Sequence, residues 1–406
     1  MIADTIMKDK SSILLIYTGG TIGMKEDPSI QALRPFDFSQ ILAEVPELAK
    51  FACRIDSYTF DPLIDSSDVE PALWTSLAGI IESQYDSYDG FVILHGTDTM
   101  AYSASVLSFM IEGLTKPVIF TGSQLPIGMP RTDGKENLIS AVEIAAAKDK
   151  CGHALVPEVC IYFDNMLMRG NRATKINSDN FRAFRSENLP ALAEAGINIR
   201  YNTQLIRKPD SWDLKPTFHK HLDTRVSILK MHPGITPDVV KHILCSDETR
   251  AVIMETYGAG NAPSKEWFTS IVNEAAAKGK ILMNVTQCIA GSVNMDIYAT
   301  GKSLKEAGMS MRNIAGKDYI TDEITYRLDC LKKETIADAD EIMQYFTAVM
   351  RGQIKDQFGL DAPLSERTAA ARELAKRIVD VTDDVDTTVP EIKVTLNWEG
   401  VTKTNA

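Results

Sequence analysis

Two threonines stand where the chain would present a hydroxyl group to a small ligand. Thr21 follows an apolar run at residues 13–17 and a glycine pair, and Thr97 follows an apolar run at residues 91–94 and Gly96. An apolar run that stops at a glycine turn is typical of a strand's carboxyl end in an open α/β sheet, where ligands bind. A threonine hydroxyl becomes a good nucleophile only when a base takes its proton. We therefore expect two hydroxyls on neighbouring strands to face one small molecule, one attacking and one assisting, with a lysine and an acid supplying the base.

The segments around these threonines resemble the signature stretches of an enzyme family. Residues 18–23 (TGGTIG), 95–100 (HGTDTM) and 169–175 (RGNRATK) look like the three signatures of bacterial L-asparaginases, most closely the cytoplasmic type I enzymes. One such stretch alone would be weak support, but several in the right order are strong. Further similar segments lie at residues 91–110, 121–124, 257–263 and 284–288. The resemblance covers residues 10–350, and residues 351–406 match no pattern that we recognise.

The resemblance implies hydrolysis of L-asparagine to L-aspartate and ammonia, without a cofactor. Thr21 would be the nucleophile that forms an acyl-enzyme, and Thr97, Asp98 and Lys175 would form the second catalytic group. A lysine beside an acid and a hydroxyl acts as a base when its site lowers its pKa. By chemical inference, backbone N–H groups near Gly96 and Thr97 are candidate oxyanion donors. Weaker L-glutaminase activity is compatible with this assignment, because one extra methylene is worth only ~1–3 kcal/mol of discrimination.

A serine-rich segment is the candidate substrate loop. Residues 66–68 match the loop with which the family holds its substrate, and the candidate substrate-binding residues are Asp65, Ser66, Ser67 and Gly96. The resemblance implies that Ser66 and Ser67 bind the α-carboxylate and that Asp98 pairs with the α-ammonium group. Without the other motifs, an Asx- or Ser-rich turn with a helix cap before Pro71 would explain the segment equally well.

Two departures from the family bear on activation and regulation. Family members usually carry a tyrosine in the mobile loop after the first threonine, whereas residues 24–37 contain none and Leu33 is the best match to its place. Some type I enzymes are activated by asparagine at a second site, whose residues correspond here to Thr174, Gln287 and Cys288. The arginine of that site is replaced by Glu255. Because arginine grips a carboxylate and glutamate repels it, we expect this activation to be weak or absent.

Composition and charge exclude several other classes of protein. The 406-residue chain carries a net charge of −12, whereas nucleic-acid binding needs a basic surface. The first ten residues have no apolar region of a signal peptide, and no apolar stretch is long enough to span a bilayer. The six cysteines are scattered, as expected for reduced thiols. We expect a cytoplasmic protein with neither nucleic acid nor membrane as a partner.

No metal site is predicted, and self-association is. His219 and His221 would share one face of a strand, but no third ligand stands at metal-site spacing. The partners implied by the resemblance are the small-molecule substrate L-asparagine and further copies of the chain, in a homodimer or homotetramer.

Apolar runs that alternate with helical periodicity predict an α/β fold. We expect a larger N-terminal doubly wound parallel-sheet domain at residues 1–201 and a smaller C-terminal α/β domain at residues 223–350. A linker at residues 202–222 would separate them, and a C-terminal extension of unknown role would follow at residues 351–406. Strands are predicted at 12–17, 90–95, 117–121, 156–163, 226–230, 251–255 and 281–286. Helices are predicted at 99–112, 134–148 and 265–278. Thr97 or Asp98 is the candidate cap of the first helix, and Asp133 is the candidate cap of the second.

Two alternative functions remain compatible with the sequence. The missing loop tyrosine would fit a sensor that binds asparagine or aspartate without turnover. The chain would also fit the glutaminase subunit of a tRNA amidotransferase, although that subunit normally carries an additional N-terminal domain and this chain starts almost at its first strand.

Overall fold

The computed structural model describes residues 11–27, 32–35 and 45–295, which all belong to one compact unit, Met1–Ser310. The predictions for residues 296–406, including the end of the C-terminal domain and the extension, lie outside the described residues. In the part of the chain that is described, no helix has the length and apolar character needed to cross a membrane.

The described strands and helices alternate along the chain, as the sequence predicts for an α/β fold. The strands are β1 (Ser11–Tyr17), β2 (Met24–Asp27), β3 (Ala32–Pro35), β4 (Cys53–Thr59), β5 (Gly90–Leu94), β6 (Ile111–Glu112), β7 (Val118–Thr121), β8 (Val159–Phe163), β9 (Met166–Arg169), β10 (Thr174–Lys175), β11 (Phe184–Arg185), β12 (Ala193–Ala195), β13 (Ile199–Tyr201), β14 (Thr217–Phe218), β15 (Val226–Lys230), β16 (Ala251–Thr256) and β17 (Ile281–Thr286). The helices are α1 (Pro71–Gln84), α2 (Met100–Met110), α3 (Gly134–Ala146), α4 (Pro237–Leu244) and α5 (Glu266–Ala277).

The larger sheet within these residues has eight strands in the order β13-β12-β9-β8-β7-β5-β1-β4. Strands β4, β1, β5, β7 and β8 run parallel, and β9, β12 and β13 extend the sheet in antiparallel pairs. This arrangement confirms the predicted α/β fold with a sheet dominated by parallel strands. It also places the carboxyl ends of β1, β5 and β7 side by side at one edge.

Strand β1 is buried on both faces because successive side chains point to opposite sides of a sheet. Ile13, Leu15 and Tyr17 pack in a cluster with residues of α3, whereas Leu14 and Ile16 pack in a second cluster with residues of α1 and α2. Helices therefore cover both faces, which explains why the strand is a continuous apolar run.

The sequence predicted the buried strands better than the exposed elements. The predicted strands at 12–17, 90–95, 117–121 and 156–163 correspond to β1, β5, β7 and β8, and the first two predicted helices correspond to α2 and α3. Strand β4 was missed because it is partly exposed and lacks a continuous apolar run. Helix α1 was missed as well, although Pro71 stands at its first position.

A smaller parallel sheet, β15-β16-β17, follows with helices α4 and α5. Its predicted strands and long helix are confirmed, and Gly279, at φ 75°, follows that helix as predicted. Helix α4 was missed because it has only eight residues, although Thr236 caps it by accepting the Val239 N–H. Within the predicted linker, β14 pairs with β6 at the end of α2.

Candidate active site

The two turns that carry Thr21 and Thr97 lie next to each other. Tyr17 at the end of β1 is in register with Leu94 of β5, and Leu94 with Thr121 of β7. The Thr18 N–H and hydroxyl both donate to the Leu94 carbonyl at 3.0 Å, which joins the turns directly. The sequence-based prediction that the two threonines follow neighbouring strands is therefore confirmed.

Three segments meet at Gly96. A side-chain Cβ on Gly20, which has φ 95°, would lie 2.6 Å from the Gly96 Cα, and a Cβ on Gly96 would lie 2.4 Å from the Ser66 hydroxyl oxygen. Only glycine fits at positions 20 and 96, because a side chain at either would clash with the neighbouring segment. The packing brings together the residues that flank these glycines, so the Thr21 turn, the Ser66 loop and the Thr97 turn form one site.

Thr21 begins a short 3₁₀ turn, Thr21–Gly23, and is half-buried. No described residue forms a hydrogen bond with its hydroxyl. Below the turn, the buried Tyr17 hydroxyl donates to the Gly20 carbonyl at 3.3 Å. Burial raises the pKa of Tyr17, so its phenol stays protonated at neutral pH and supports the turn as a donor. Leu33, the sequence match to the family's loop tyrosine, lies in β3.

Lys175 contacts both Thr97 and Asp98. Its Nζ donates to the Thr97 hydroxyl oxygen at 2.9 Å and to an Asp98 carboxylate oxygen at 2.6 Å. The Lys175 side chain is 18% exposed and that of Asp98 is 64% exposed, so the carboxylate still faces solvent. The predicted helix-capping role of Thr97 and Asp98 is wrong, because α2 begins at Met100 after Thr99 and both side chains are bonded to Lys175.

Gln124 is a site residue that the sequence did not single out. Its side-chain oxygen accepts the Thr97 hydroxyl at 3.4 Å, and its side-chain nitrogen donates to the Asn180 carbonyl at 3.1 Å. Its backbone N–H donates to the carboxylate of Asp133 at 3.0 and 3.1 Å. Asp133 occupies the position before α3 as predicted, but its side chain makes no capping bond to the helix. Gln124 follows β7, whose carboxyl end lies next to those of β1 and β5. Its position after this third strand is the sequence feature that would have identified it.

The serine-rich segment forms a tight turn against the site. The Asp65 carboxylate accepts the backbone N–H of Ser67 at 2.9 Å and its hydroxyl at 2.8 Å, and these bonds lower the pKa of Asp65. Ser66 is buried, and its carbonyl accepts the Thr99 hydroxyl at 2.6 Å. Asp65 thus holds the loop, and the Ser66 hydroxyl oxygen is the group that lies beside Gly96.

An open cavity of about 670 Å³ adjoins the lysine. Asp98, Tyr102, Thr174 and Lys175 are among its lining residues. The segment that carries Lys175 therefore borders a surface depression beside α2.

The second-site candidates fall into two places. The Gln287 side-chain nitrogen donates to the carbonyls of Glu255 and Met231, at 2.8 and 2.5 Å. Lys230 lies opposite Glu255 and forms an ion pair with it at 3.6 Å. Cys288 is exposed at the same strand ends, where its N–H donates to Thr286. Thr174 precedes Lys175, and no hydrogen bond or ion pair joins it to this cluster among the described residues.

One group of potential metal ligands occurs in the described part of the chain. Asp149, Cys151 and His153 bring an oxygen, a sulfur and a nitrogen atom within 4.8 Å of one another. They lie in the turn between α3 and β8, at the edge opposite the candidate active site. The Asp149 carboxylate already accepts the N–H groups of Cys151 and His153, at 2.8 and 2.9 Å. These hydrogen bonds explain the cluster as a turn that the Asp149 side chain closes.

Comparison with known proteins agrees with this geometry. Residues 12–207 match the family described as "Asparaginase, N-terminal", and residues 225–346 match the "Glutaminase/Asparaginase C-terminal domain". The chain is 41% identical to L-asparaginase 1 of Escherichia coli K12 over 350 residues, which are 85% of this chain and 98% of that one. It is 36% identical to the human 60 kDa lysophospholipase over 84% of this chain and 61% of that one. The crystal structure of L-asparaginase I from Vibrio cholerae superposes with a TM-score of 0.66 at 41% identity, covering 74% of this chain and 87% of that chain. The chain belongs to the asparaginase/glutaminase family.

Proposed function

We propose that the protein hydrolyses L-asparagine to L-aspartate and ammonia, with Thr21 as the nucleophile. The observation that carries the proposal is the contact of Lys175 with Thr97 and Asp98 beside the Thr21 turn. A hydroxyl nucleophile needs a neighbouring base, and a lysine joined to a second hydroxyl supplies one. Family membership and the similarity to L-asparaginase 1 support the same reaction.

In the proposed first step, the Thr21 oxygen attacks the side-chain amide carbon of asparagine. Thr97 and Lys175 handle the proton that Thr21 loses, since their 2.9 Å contact is within proton-transfer reach. The C–N bond breaks and ammonia leaves with that proton, so an ester forms on Thr21. Water then attacks the ester, which releases aspartate and restores the hydroxyl.

The remaining groups are assigned to substrate binding. Asp98 retains an exposed carboxylate and would pair with the α-ammonium group of the substrate. Ser66, beside Gly96, would hold the α-carboxylate together with Ser67. The weaker glutaminase activity belongs to the same proposal, because the longer substrate presents the same groups.

The proposal includes simple saturation kinetics. Glu255 occupies the place of the arginine that would bind an activating asparagine, and its ion pair with Lys230 compensates its charge without providing a bidentate grip. We therefore expect no activation by asparagine through Glu255, Gln287 and Cys288.

We also propose a cytoplasmic homo-oligomer that covers part of α2. Tyr102 and Phe109 lie seven residues apart on the same face of this helix and are 62% and 68% exposed. Large exposed apolar side chains that share a face are typical of protein–protein contacts. Light scattering of the unaltered protein and of Phe109→Glu tests this, and an unaltered mass after the substitution would refute the assignment of this face.

The decisive assay measures ammonia release from L-asparagine and L-glutamine over a wide concentration range. We expect Thr21→Ala to abolish turnover and Lys175→Met to lower kcat by about 10²–10⁴-fold. Lys148→Met is the matched control, since Lys148 makes a similar 2.8 Å contact with Asp89 away from the site. Asparagine binding without turnover would establish the sensor instead. Turnover that requires a tRNA-bound partner would establish the amidotransferase subunit.

A further inference from the structure

A buried hydrogen-bond chain runs behind the Thr97 turn and is formed by three side chains that have not yet been assigned to chemistry, those of His95, Ser103 and Trp74. His95 is 1% exposed, and its Nδ1 lies 2.7 Å from the Gly96 carbonyl oxygen. Its Nε2 lies 2.9 Å from the Ser103 hydroxyl oxygen, which lies 2.9 Å from the indole Nε1 of Trp74. Three elements, α1, α2 and the end of β5, thus converge on one carbonyl group.

The chemistry of the partners fixes the direction of every bond in this chain. A carbonyl oxygen only accepts, so Nδ1 of His95 must carry a hydrogen and donate it to Gly96. Burial lowers the pKa of His95 to about 4, so the ring is neutral at physiological pH and Nε2 is an acceptor. Ser103 must then donate to Nε2. Trp74 can only donate, so the Ser103 oxygen accepts its indole N–H.

The orientation of the Gly96 carbonyl determines where the next N–H group points. In a trans peptide the C=O and the following N–H lie in one plane and point in opposite directions. Because the His95 ring holds the Gly96 carbonyl on the buried side, the Thr97 N–H points away from that side. Within the described part of the chain, no hydrogen-bond acceptor contacts this N–H. The Gly96 backbone also packs against Gly20 and Ser66, next to Thr21.

We propose that His95 is a positioning residue that aims the Thr97 backbone N–H at the oxyanion formed during amide hydrolysis, with Ser103 and Trp74 setting its tautomer. The inference rests on the proposed hydrolytic function. Hydrogen-bond donors that already point at the place where negative charge develops lower the activation barrier, because the protein need not reorganise during the reaction. Removing one such donor typically lowers kcat by about 10²–10³-fold. His95 acts only through the Gly96–Thr97 peptide, so substrate affinity is expected to change little.

Loss of the Ser103 hydroxyl gives the cleanest test, because Ser103 lies behind the ring, in α2. Without it, Nε2 loses its donor, and a ring that shifts its hydrogen to Nε2 turns a lone pair toward the Gly96 carbonyl. We expect Ser103→Ala to lower kcat for asparagine about tenfold and to leave KM within about twofold, a smaller loss than outright removal of a donor. Ser108→Ala is the matched control on the same helix, since its hydroxyl donates only to the Ala104 carbonyl of its own turn.

Substitution of the ring itself separates positioning from packing. We expect His95→Leu to lower kcat about 10²-fold, and His95→Asn to recover part of that loss, because an asparagine amide can still donate to Gly96. Nitrogen-15 NMR of the His95 imidazole shows directly which ring nitrogen carries the hydrogen. The unaltered protein is predicted to show one tautomer, with hydrogen on Nδ1, and Ser103→Ala is predicted to lose that uniformity.

The outcomes distinguish this inference from the proposed function. If the unaltered protein hydrolyses asparagine and Ser103→Ala or His95→Leu changes only the melting temperature or KM, the positioning role is refuted and the function stands. A hydrogen found on Nε2 in the unaltered protein refutes the bond directions and with them the inference. If the unaltered protein hydrolyses no asparagine, the proposed function fails and the catalytic role of His95 fails with it.

Discussion

The segment that carries Lys175 is anchored by a buried ion pair, whose strength can be predicted from its surroundings. Arg169, at the end of β9, contacts Glu158 through two nitrogens at 2.5 and 3.0 Å, and both side chains are less than 10% exposed. Arg169 also donates to the Leu205 carbonyl at 2.6 Å, and Glu158 accepts the Arg207 N–H at 2.6 Å. Both carboxylate oxygens of Glu158 and two of the three guanidinium nitrogens of Arg169 are therefore bonded inside the protein.

Removing one partner leaves the other charge buried without compensation. We expect Arg169→Met to lower the free energy of unfolding by about 3–5 kcal/mol, the usual cost of breaking a buried pair from one side. The pair Arg200–Glu194 on the same sheet has a similar distance of 2.9 Å, but its side chains are 78% and 53% exposed. For Arg200→Ala we expect a loss of about 0–1 kcal/mol, because water screens the pair and the side chains lose entropy in forming it.

Denaturant unfolding of the unaltered protein and of both variants measures this difference. The double substitution Arg169→Met with Glu158→Leu should be less damaging than Arg169→Met alone, because it leaves no buried charge. Since the turn after Arg169 leads into Lys175, Arg169→Met is also expected to reduce kcat. If Arg169→Met costs no more than Arg200→Ala, the reasoning from burial is wrong.

Three further results are expected. Gly20→Ala should reduce activity at least 10²-fold, because both φ 95° and the 2.6 Å approach to Gly96 exclude a side chain. Gly79→Ala is the control, since a Cβ there meets nothing within 4 Å, and its activity should be nearly unchanged. Equal activities of the two variants would contradict the packing. Glu255→Arg should make the rate sigmoidal in asparagine if charge alone blocks the second site, and an unchanged hyperbolic curve would show that other contacts are missing. Finally, burial keeps His95 unprotonated in the folded protein down to about pH 4, whereas the unfolded chain binds a proton near pH 6.5. The free energy of unfolding should therefore fall by up to about 3 kcal/mol as the pH decreases from 6.5 to 4. In melting curves, His95→Asn should make this dependence on pH weaker.

The strand ends of the site were predictable from sequence because buried parallel strands leave a strong local signal. Continuous apolar runs that stop at Gly19 and Gly96 identified β1 and β5, and their adjacency followed from the fold class. The family motifs added Lys175, which nothing local distinguishes from a surface lysine. Its contacts with Thr97 and Asp98 join residues more than 75 positions apart in the chain.

Long-range contacts that carry no local pattern could not be predicted. Strand β4 is an edge strand with partly exposed residues, so it lacks the apolar run that identifies its neighbours. The hydrogen bond between Gln124 and Thr97 joins the loops after two different strands, and no local pattern pairs these two residues. The contact of Trp74 with Ser103 joins two helices and depends on how they pack, which the hydrophobic pattern of neither helix specifies.

The central claim is that Thr21 becomes esterified during turnover, and mass spectrometry of acid-quenched reactions tests it directly. Trypsin does not cleave before Pro117, so it would release Thr21 in the peptide of residues 11–25 and Thr97 in the peptide of residues 55–131, and an ester on one threonine is distinguished from an ester on the other. We predict an aspartyl ester on Thr21 in the unaltered protein after mixing with asparagine, and none in Thr21→Ala. An ester on Thr97, or rapid release of ammonia by Thr21→Ala, would contradict the account.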